Sequence, residues 1–288
     1  MAWNTKSFEL LSKHVSAYLG GVNEKSCSFQ GQEWKYLEAG SGEVVLCLHG
    51  LGGSKVQWRT FMTKVSERYR VISPDVPGLS LNLNVAEGDI DKHNVANWIS
   101  DFMDAIGVKH VHIVGHDTGG VVASYFAHGQ QGIVSTLAWF NPPDLDGIRT
   151  GDVAAWERVK VGFDSMQEAE AHLMSLFYDP PTLPGIVKRF YMKKVMDTVN
   201  KGKLLPLING AMESLPLLMA QVRGIQQETL VVAADNDVFS NERWILKLVA
   251  MIPNSKLVWL EECGQRSLIE KPDQLAEIYL NFLKTHGS

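Results

Sequence analysis

Residues 113–120 read Ile-Val-Gly-His-Asp-Thr-Gly-Gly. An apolar run fit for a buried strand meets, within two residues, a stretch of small residues that opens a helical pattern, and Asp117 stands at the junction. Few backbone conformations join a strand to a helix so abruptly. Gly115 and Gly119 leave space for the two elements to cross closely, as a Gly-x-Nuc-x-Gly elbow requires, where a reactive side chain is held at the apex of a strained turn. The plainer reading is an aspartate that caps a helix. The flanking glycines, and a His-Gly turn upstream at His49-Gly50, favour the elbow. At a helix N-terminus the dipole favours an anion, so Asp117 is expected to be an ionised carboxylate, nucleophilic at neutral pH without help from a base.

The rest of the chain agrees with this junction. Short apolar runs at Val44–Leu48, Val71–Ser73, Val111–Val114, Val134–Phe140, Thr229–Ala233 and Lys256–Leu260 read as buried strands. Helical patterns near 56–68, 94–106, 118–128, 241–251 and 273–284 separate most of them. Strand alternating with helix implies an α/β protein whose parallel sheet is covered on both faces. Ser28–Gln30 and Trp34–Glu38 flank a Gly-containing turn and read as an antiparallel hairpin at the sheet edge. The alternation breaks between about Pro142 and Gly224. Helix-like stretches near 152–161, 165–177, 185–199 and 204–219 are punctuated there by Pro180, Pro181, Pro184 and Pro206. The expected organisation is a core of residues 1–141 and 225–288 with a helical cap, 142–224, inserted between two strands.

Composition narrows the function classes. The 288 residues carry a net charge of −5 with no Lys/Arg run, which argues against nucleic acid or an anionic membrane surface. Cys27, Cys47 and Cys263 have no metal-ligand spacing, and their odd number argues against a disulfide framework. No basic segment followed by an apolar one opens the chain, and its apolar runs are too short to span a bilayer. Positions 7–19 could form an amphipathic helix, with packing on the protein body as the default. These features lead to the expectation of a cytoplasmic monomer or homodimer. Its partner would be a small, mainly apolar molecule, with no cofactor and no metal.

In an open α/β sheet ligands bind beyond the carboxyl ends of the strands. His49-Gly50-Leu51-Gly52-Gly53 follows the first such strand, and glycines there let backbone N–H groups face a ligand. With Asp75-Val76-Pro77-Gly78, the elbow Gly115-His116-Asp117-Thr118-Gly119-Gly120, and Leu230–Asp237, the chain resembles the α/β-hydrolase family over nearly its whole length. The elbow is similar to that of its aspartate-nucleophile branch, the epoxide hydrolases and haloalkane dehalogenases. The resemblance implies a mostly parallel eight-stranded sheet flanked by helices, with an inserted cap. It also implies Asp117 as nucleophile, the N–H groups of Leu51 and Thr118 as an oxyanion hole, and Asp237 as the third acid, with Asp235 as the near alternative.

The family's base should be a histidine after the last strand. The frame Glu262-Cys263-Gly264-Gln265-Arg266 through Glu270-Lys271-Pro272 is intact, but Gln265 holds that position. An amide can orient water and cannot take up its proton at neutral pH. Leu51-Gly52-Gly53 is more like esterases and carbon–carbon bond hydrolases than epoxide hydrolases, and Thr118 stands where dehalogenases place a halide-gripping tryptophan. His49, His116, Trp139, Asn141, Trp156, Tyr178 and Tyr191 are the candidate substrate contacts, the two tyrosines as donors to an epoxide oxygen. The implied reaction is attack by Asp117 on an electrophilic carbon to form an ester. Release of that ester would be impaired or atypical, whether Gln265 is natural or introduced. The alternatives are a lyase, isomerase or cyclase, or a ligand-binding pseudoenzyme, on the same fold. An esterase is the weakest reading, because no serine stands in the elbow.

Overall fold

The structure, a computed structural model, describes residues 21–80, 92–150, 154–181 and 220–286 together with Gly185, Lys193 and Met196. Eight strands form one sheet. They are β1 (Asn23–Phe29), β2 (Gln32–Ala39), β3 (Val44–Leu48), β4 (Arg70–Pro74), β5 (Val111–His116), β6 (Val134–Phe140), β7 (Glu228–Ala234) and β8 (Ser255–Leu260). Their order is β1-β2-β4-β3-β5-β6-β7-β8. β1 and β2 are antiparallel to each other, β2 is antiparallel to β4, and every pairing from β4 to β8 is parallel.

The hairpin is longer than its apolar residues suggested. β1 reaches back to Asn23, with most of its side chains exposed, as suits a polar edge strand that leaves little apolar pattern to read. It turns at Gln30 and Gly31, both at positive φ (51° and 74°), in the two-residue form that matches strand twist. By contrast every residue of β5, and all but one of β6, is buried, because helices cover both faces.

The helices before the cap region are α1 (Arg59–Val65), entered through a 3-10 turn at Lys55–Trp58, α2 (Lys92–Ala105) and α3 (Thr118–Gly129). Between β6 and β7 lie α4 (Leu145–Thr150), α5 (Ala154–Val161) and α6 (Met166–Ser175). After β7 come α7 (Glu242–Met251), α8 (Ser267–Glu270) and α9 (Pro272–His286). α1 and α9 pack on one face around Trp58, Phe61, Phe140 and Tyr279. α2, α3 and α7 pack on the other around Phe102, Phe126, Trp139 and Trp244. Trp139 and Phe140, adjacent in β6, belong to opposite clusters, as the two-residue strand period demands.

The regular elements in the described part of 142–224 are helices. α4 was not expected from the sequence, while α5 and α6 fall within the stretches read as helices. α6 starts where Ser165 Oγ accepts the Glu168 N–H at 3.2 Å, a side-chain N-cap. The helix-like stretches near 185–199 and 204–219, and positions 7–19, lie essentially outside the described residues. Among the described residues no helix is long and apolar enough to cross a membrane.

Register assembles the site. Leu48 pairs with Gly115, His116 with Phe140, Phe140 with Val232, and Ala234 with Leu260. The segments that follow these strands therefore emerge along one edge of the sheet. β4 and β5 flank β3 on opposite sides, so a switch point, the usual ligand crevice, lies between β3 and β5.

Candidate active site

Asp117 lies at that crevice with φ 55° and ψ −129°, a conformation strained for any residue but glycine. The surroundings enforce it. Its N–H donates to Phe140 O (2.8 Å), and its carbonyl accepts from Gly120 N (2.9 Å) and Trp139 Nε1 (2.9 Å). A Cβ on Gly119 would strike the carbonyls of Leu48 and His49, and one on Gly120 the indole of Trp139. Only glycine lets α3 approach β3 and β6 so closely.

Asp117 is 5% exposed, and its Oδ1 has no hydrogen-bond partner. The backbone N–H of Thr118 acts on the carboxyl and favours its ionised form. Burial, and after it the charge of Asp237, act the other way and win, raising its pKa to about 8. This corrects the sequence-based expectation of an ionised residue at neutral pH. A helix start favours an anion, but desolvation is the larger effect at full burial. The Leu51 N–H, one of the two expected oxyanion donors, is donated to Thr118 Oγ1 at 2.7 Å.

Asp237 follows β7 and is also buried. Its Oδ2 accepts from Asn141 Nδ2 (2.8 Å) and its Oδ1 from Phe239 N (2.9 Å). Burial raises its pKa to about 6 despite those bonds. Asp235, the near alternative, is exposed and accepts from the N–H groups of Glu262 (2.9 Å) and Cys263 (3.1 Å), fastening the end of β7 to the loop after β8. Gln265 is 3% exposed and its Oε1 has no partner. Its main-chain carbonyl accepts from His116 Nε2 at 2.9 Å, which ties this loop to the elbow. Asp237, whose charge acts on Asp117, and the loop bearing Gln265, bonded to His116, both lie near the elbow.

Several sequence-based substrate contacts prove to be framework. His49 is fully buried, with Nδ1 against Gly50 O (2.9 Å) and Nε2 accepting the Val76 N–H (2.9 Å), so neither nitrogen is left for a ligand. His116 is held by Gln265, and burial lowers its pKa to about 3. Trp139 braces the elbow carbonyl. Asn141, at φ 50°, supports Asp237 and accepts from Ser267 Oγ. Trp156 is buried against Phe239 with ring centroids 4.6 Å apart. Tyr178 is 48% exposed, on the surface rather than enclosed. Tyr191 lies outside the described residues.

Three residues were not singled out from the sequence. Ser267 anchors Asn141. Glu270 accepts from Gly264 N (2.9 Å), Tyr178 N (2.8 Å) and Asp179 N (3.1 Å), joining the loop after β8 to the chain beyond α6. Arg266 places a positive charge that acts on both Asp117 and Asp237. A cation directly beside the position of the missing base was the available signal. No group of three or more His, Cys, Asp or Glu among the described residues is arranged to hold a metal ion.

The chain belongs to the alpha/beta hydrolase family, whose model matches residues 45–278. It is 26% identical over 293 residues to a 2-hydroxy-6-oxo-6-phenylhexa-2,4-dienoate hydrolase from Burkholderia cepacia, covering 95% of this chain and 98% of the relative. It is 32% identical over 116 residues to a soluble epoxide hydrolase from Corynebacterium sp. (strain C12), a match to 40% of each chain. The crystal structure of a bacterial membrane phospholipase A superposes with a TM-score of 0.82 at 23% identity, covering 98% of this chain and 92% of that one. That last likeness is one of fold.

Proposed function

We propose that this chain acts on a small, mainly apolar substrate through Asp117, which forms an ester with an electrophilic carbon such as that of an epoxide or a haloalkane. The observation that carries this reading is the buried, unpartnered Asp117 Oδ1 at a strained apex. The segment 142–224, helical in α4, α5 and α6 where it is described, acts as a cap over a core of 1–141 and 225–288.

In the first step an ionised Asp117 oxygen bonds to the carbon, and the electron pair of the broken bond leaves with the halide or the epoxide oxygen. The latter takes its proton from solvent. Water must then attack the ester carbonyl and lose a proton. His49 and His116 are committed to the framework, and the Gln265 oxygen can accept a hydrogen bond from water without taking the proton. General-base help is worth about 10²–10⁴-fold, so the ester outlives its formation. The test is intact-protein mass spectrometry after incubation with panels of epoxides and haloalkanes. A stable adduct on Asp117 is the expected result. No adduct across a broad panel overturns the reading.

Two observations favour a second reading, that of a proton donor in an isomerase, cyclase or lyase reaction. Asp117 holds its proton at neutral pH, and the Leu51 N–H is occupied by Thr118. The two readings differ in sign. A nucleophile speeds up as pH rises through about 8, and an acid slows down.

A further inference from the structure

Arg266 leaves the loop between β8 and α8 from a fixed point. Its N–H donates to Leu176 O at the end of α6 (3.2 Å), and its carbonyl accepts from Ile269 N (2.8 Å) and Glu270 N (3.0 Å). Its side chain is half-buried, and Nε is buried with no hydrogen-bond partner. Among the described residues no carboxylate forms an ion pair with its guanidinium. Glu270, four positions on, already accepts three backbone N–H groups. Asp237 is held by Asn141 and the Phe239 N–H. Its neighbour Gln265 is tied through its carbonyl to His116 at the elbow (2.9 Å), and the charge of Arg266 acts on Asp117, Asp237, His116 and His172.

A guanidinium nitrogen kept from water without a partner is costly. A guanidinium fork offers donors that match a carboxylate in two parallel bonds. We propose that Arg266 is the anion-recognition residue of this site, taking a carboxylate carried by the substrate and so orienting its reacting carbon toward Asp117. The proposal rests on the Asp117 interior being the active site, and it narrows the substrate class from apolar to apolar with an acidic end.

Binding tests it without any covalent step. The full-length chain is titrated calorimetrically with hexanoate and with hexan-1-ol as the neutral match. Hexanoate is expected to bind about tenfold to a hundredfold more tightly, the range of a charge-assisted hydrogen-bonded pair. Arg266→Gln should remove the preference and Arg266→Lys should keep part of it. The preference should persist in Asp117→Asn, so a failure to find an Asp117 adduct is separable from a failure here. Equal affinities, no hexanoate binding, or a preference undiminished in Arg266→Gln overturns the proposal. So does a melting temperature lowered in both arginine variants, the mark of a purely structural arginine. Replacing a ligand-seeking guanidinium leaves the melting temperature of the empty protein unchanged or raises it.

Discussion

Replacing Asp117 with asparagine should stabilise the fold, and more so as pH rises. The carboxyl titrates at 3.8 when solvated and at about 8 in the folded chain. Below the lower value both states hold the proton and the group is neutral toward folding. Between the two values the unfolded chain ionises while the folded chain does not. The folded state then binds more protons, and stability falls with rising pH until it levels off above the folded pKa. Each tenfold difference in proton affinity is worth about 1.4 kcal/mol, so the full window corresponds to roughly 5 kcal/mol. That is an upper figure, because Asp237 titrates nearby and shares the effect. Asparagine removes the titration, keeps the shape, and tolerates positive φ about as well as aspartate. At ~2–4 °C per kcal/mol, the variant should melt roughly 5–15 °C above the parent near pH 8 and together with it near pH 4. Thermal unfolding followed by circular dichroism across that range measures the difference. A gap independent of pH, or a variant less stable than the parent near pH 8, would show that the residue is ionised and compensated in the native protein.

Gln265→His should supply the missing proton acceptor and speed ester release by about 10²–10⁴-fold, read as multiple turnovers where the parent gives a single-turnover burst. Asp235→Ala removes the acceptor for the Glu262 and Cys263 N–H groups and should cost about 1–2 kcal/mol in denaturant unfolding while leaving adduct formation intact. A loss of adduct formation would move the third-acid role from residue 237 to 235. Gly120→Ala drives a methyl into the Trp139 indole that braces the elbow. It should cost about 1–3 kcal/mol and abolish reactivity at Asp117, and a variant with parental stability would refute the account of the elbow.

Most of the sheet was legible because β3 to β7 are largely buried parallel strands that read as apolar runs, and the half-buried edge strand β8 still keeps an apolar run from Leu257 to Leu260. β1 was only partly legible, since an exposed edge strand has no such run. The elbow was legible for a steric reason, because Gly115 and Gly119 at fixed spacing around Asp117 have few other uses. Its proton affinity was not. That depends on how completely α3, β6 and the loop after β8 exclude water, which no local pattern records. The same limit explains His49, whose residue type suits a ligand contact while the fold gives both of its nitrogens to the backbone. It explains Tyr178 as well, an aromatic residue that the chain leaves on the surface. Asp237 is buried and Asp235 exposed, a difference in depth that two acids two residues apart do not display in sequence. Arg266 was visible as a letter beside Gln265, and its significance lies in the absence of a partner, which only packing reveals.

The most direct test of Asp117 as the reacting group is peptide-resolved mass spectrometry of the chain after exposure to an epoxide that labels it, with the labelling rate followed from about pH 6 to about pH 10. The label should fall on the peptide bearing Asp117 and be absent from Asp117→Asn. Its rate should climb with pH and level off above about 8, where that carboxyl has lost its proton. A label on another residue, equal labelling of the variant, or a rate that declines as pH rises would contradict a nucleophilic Asp117.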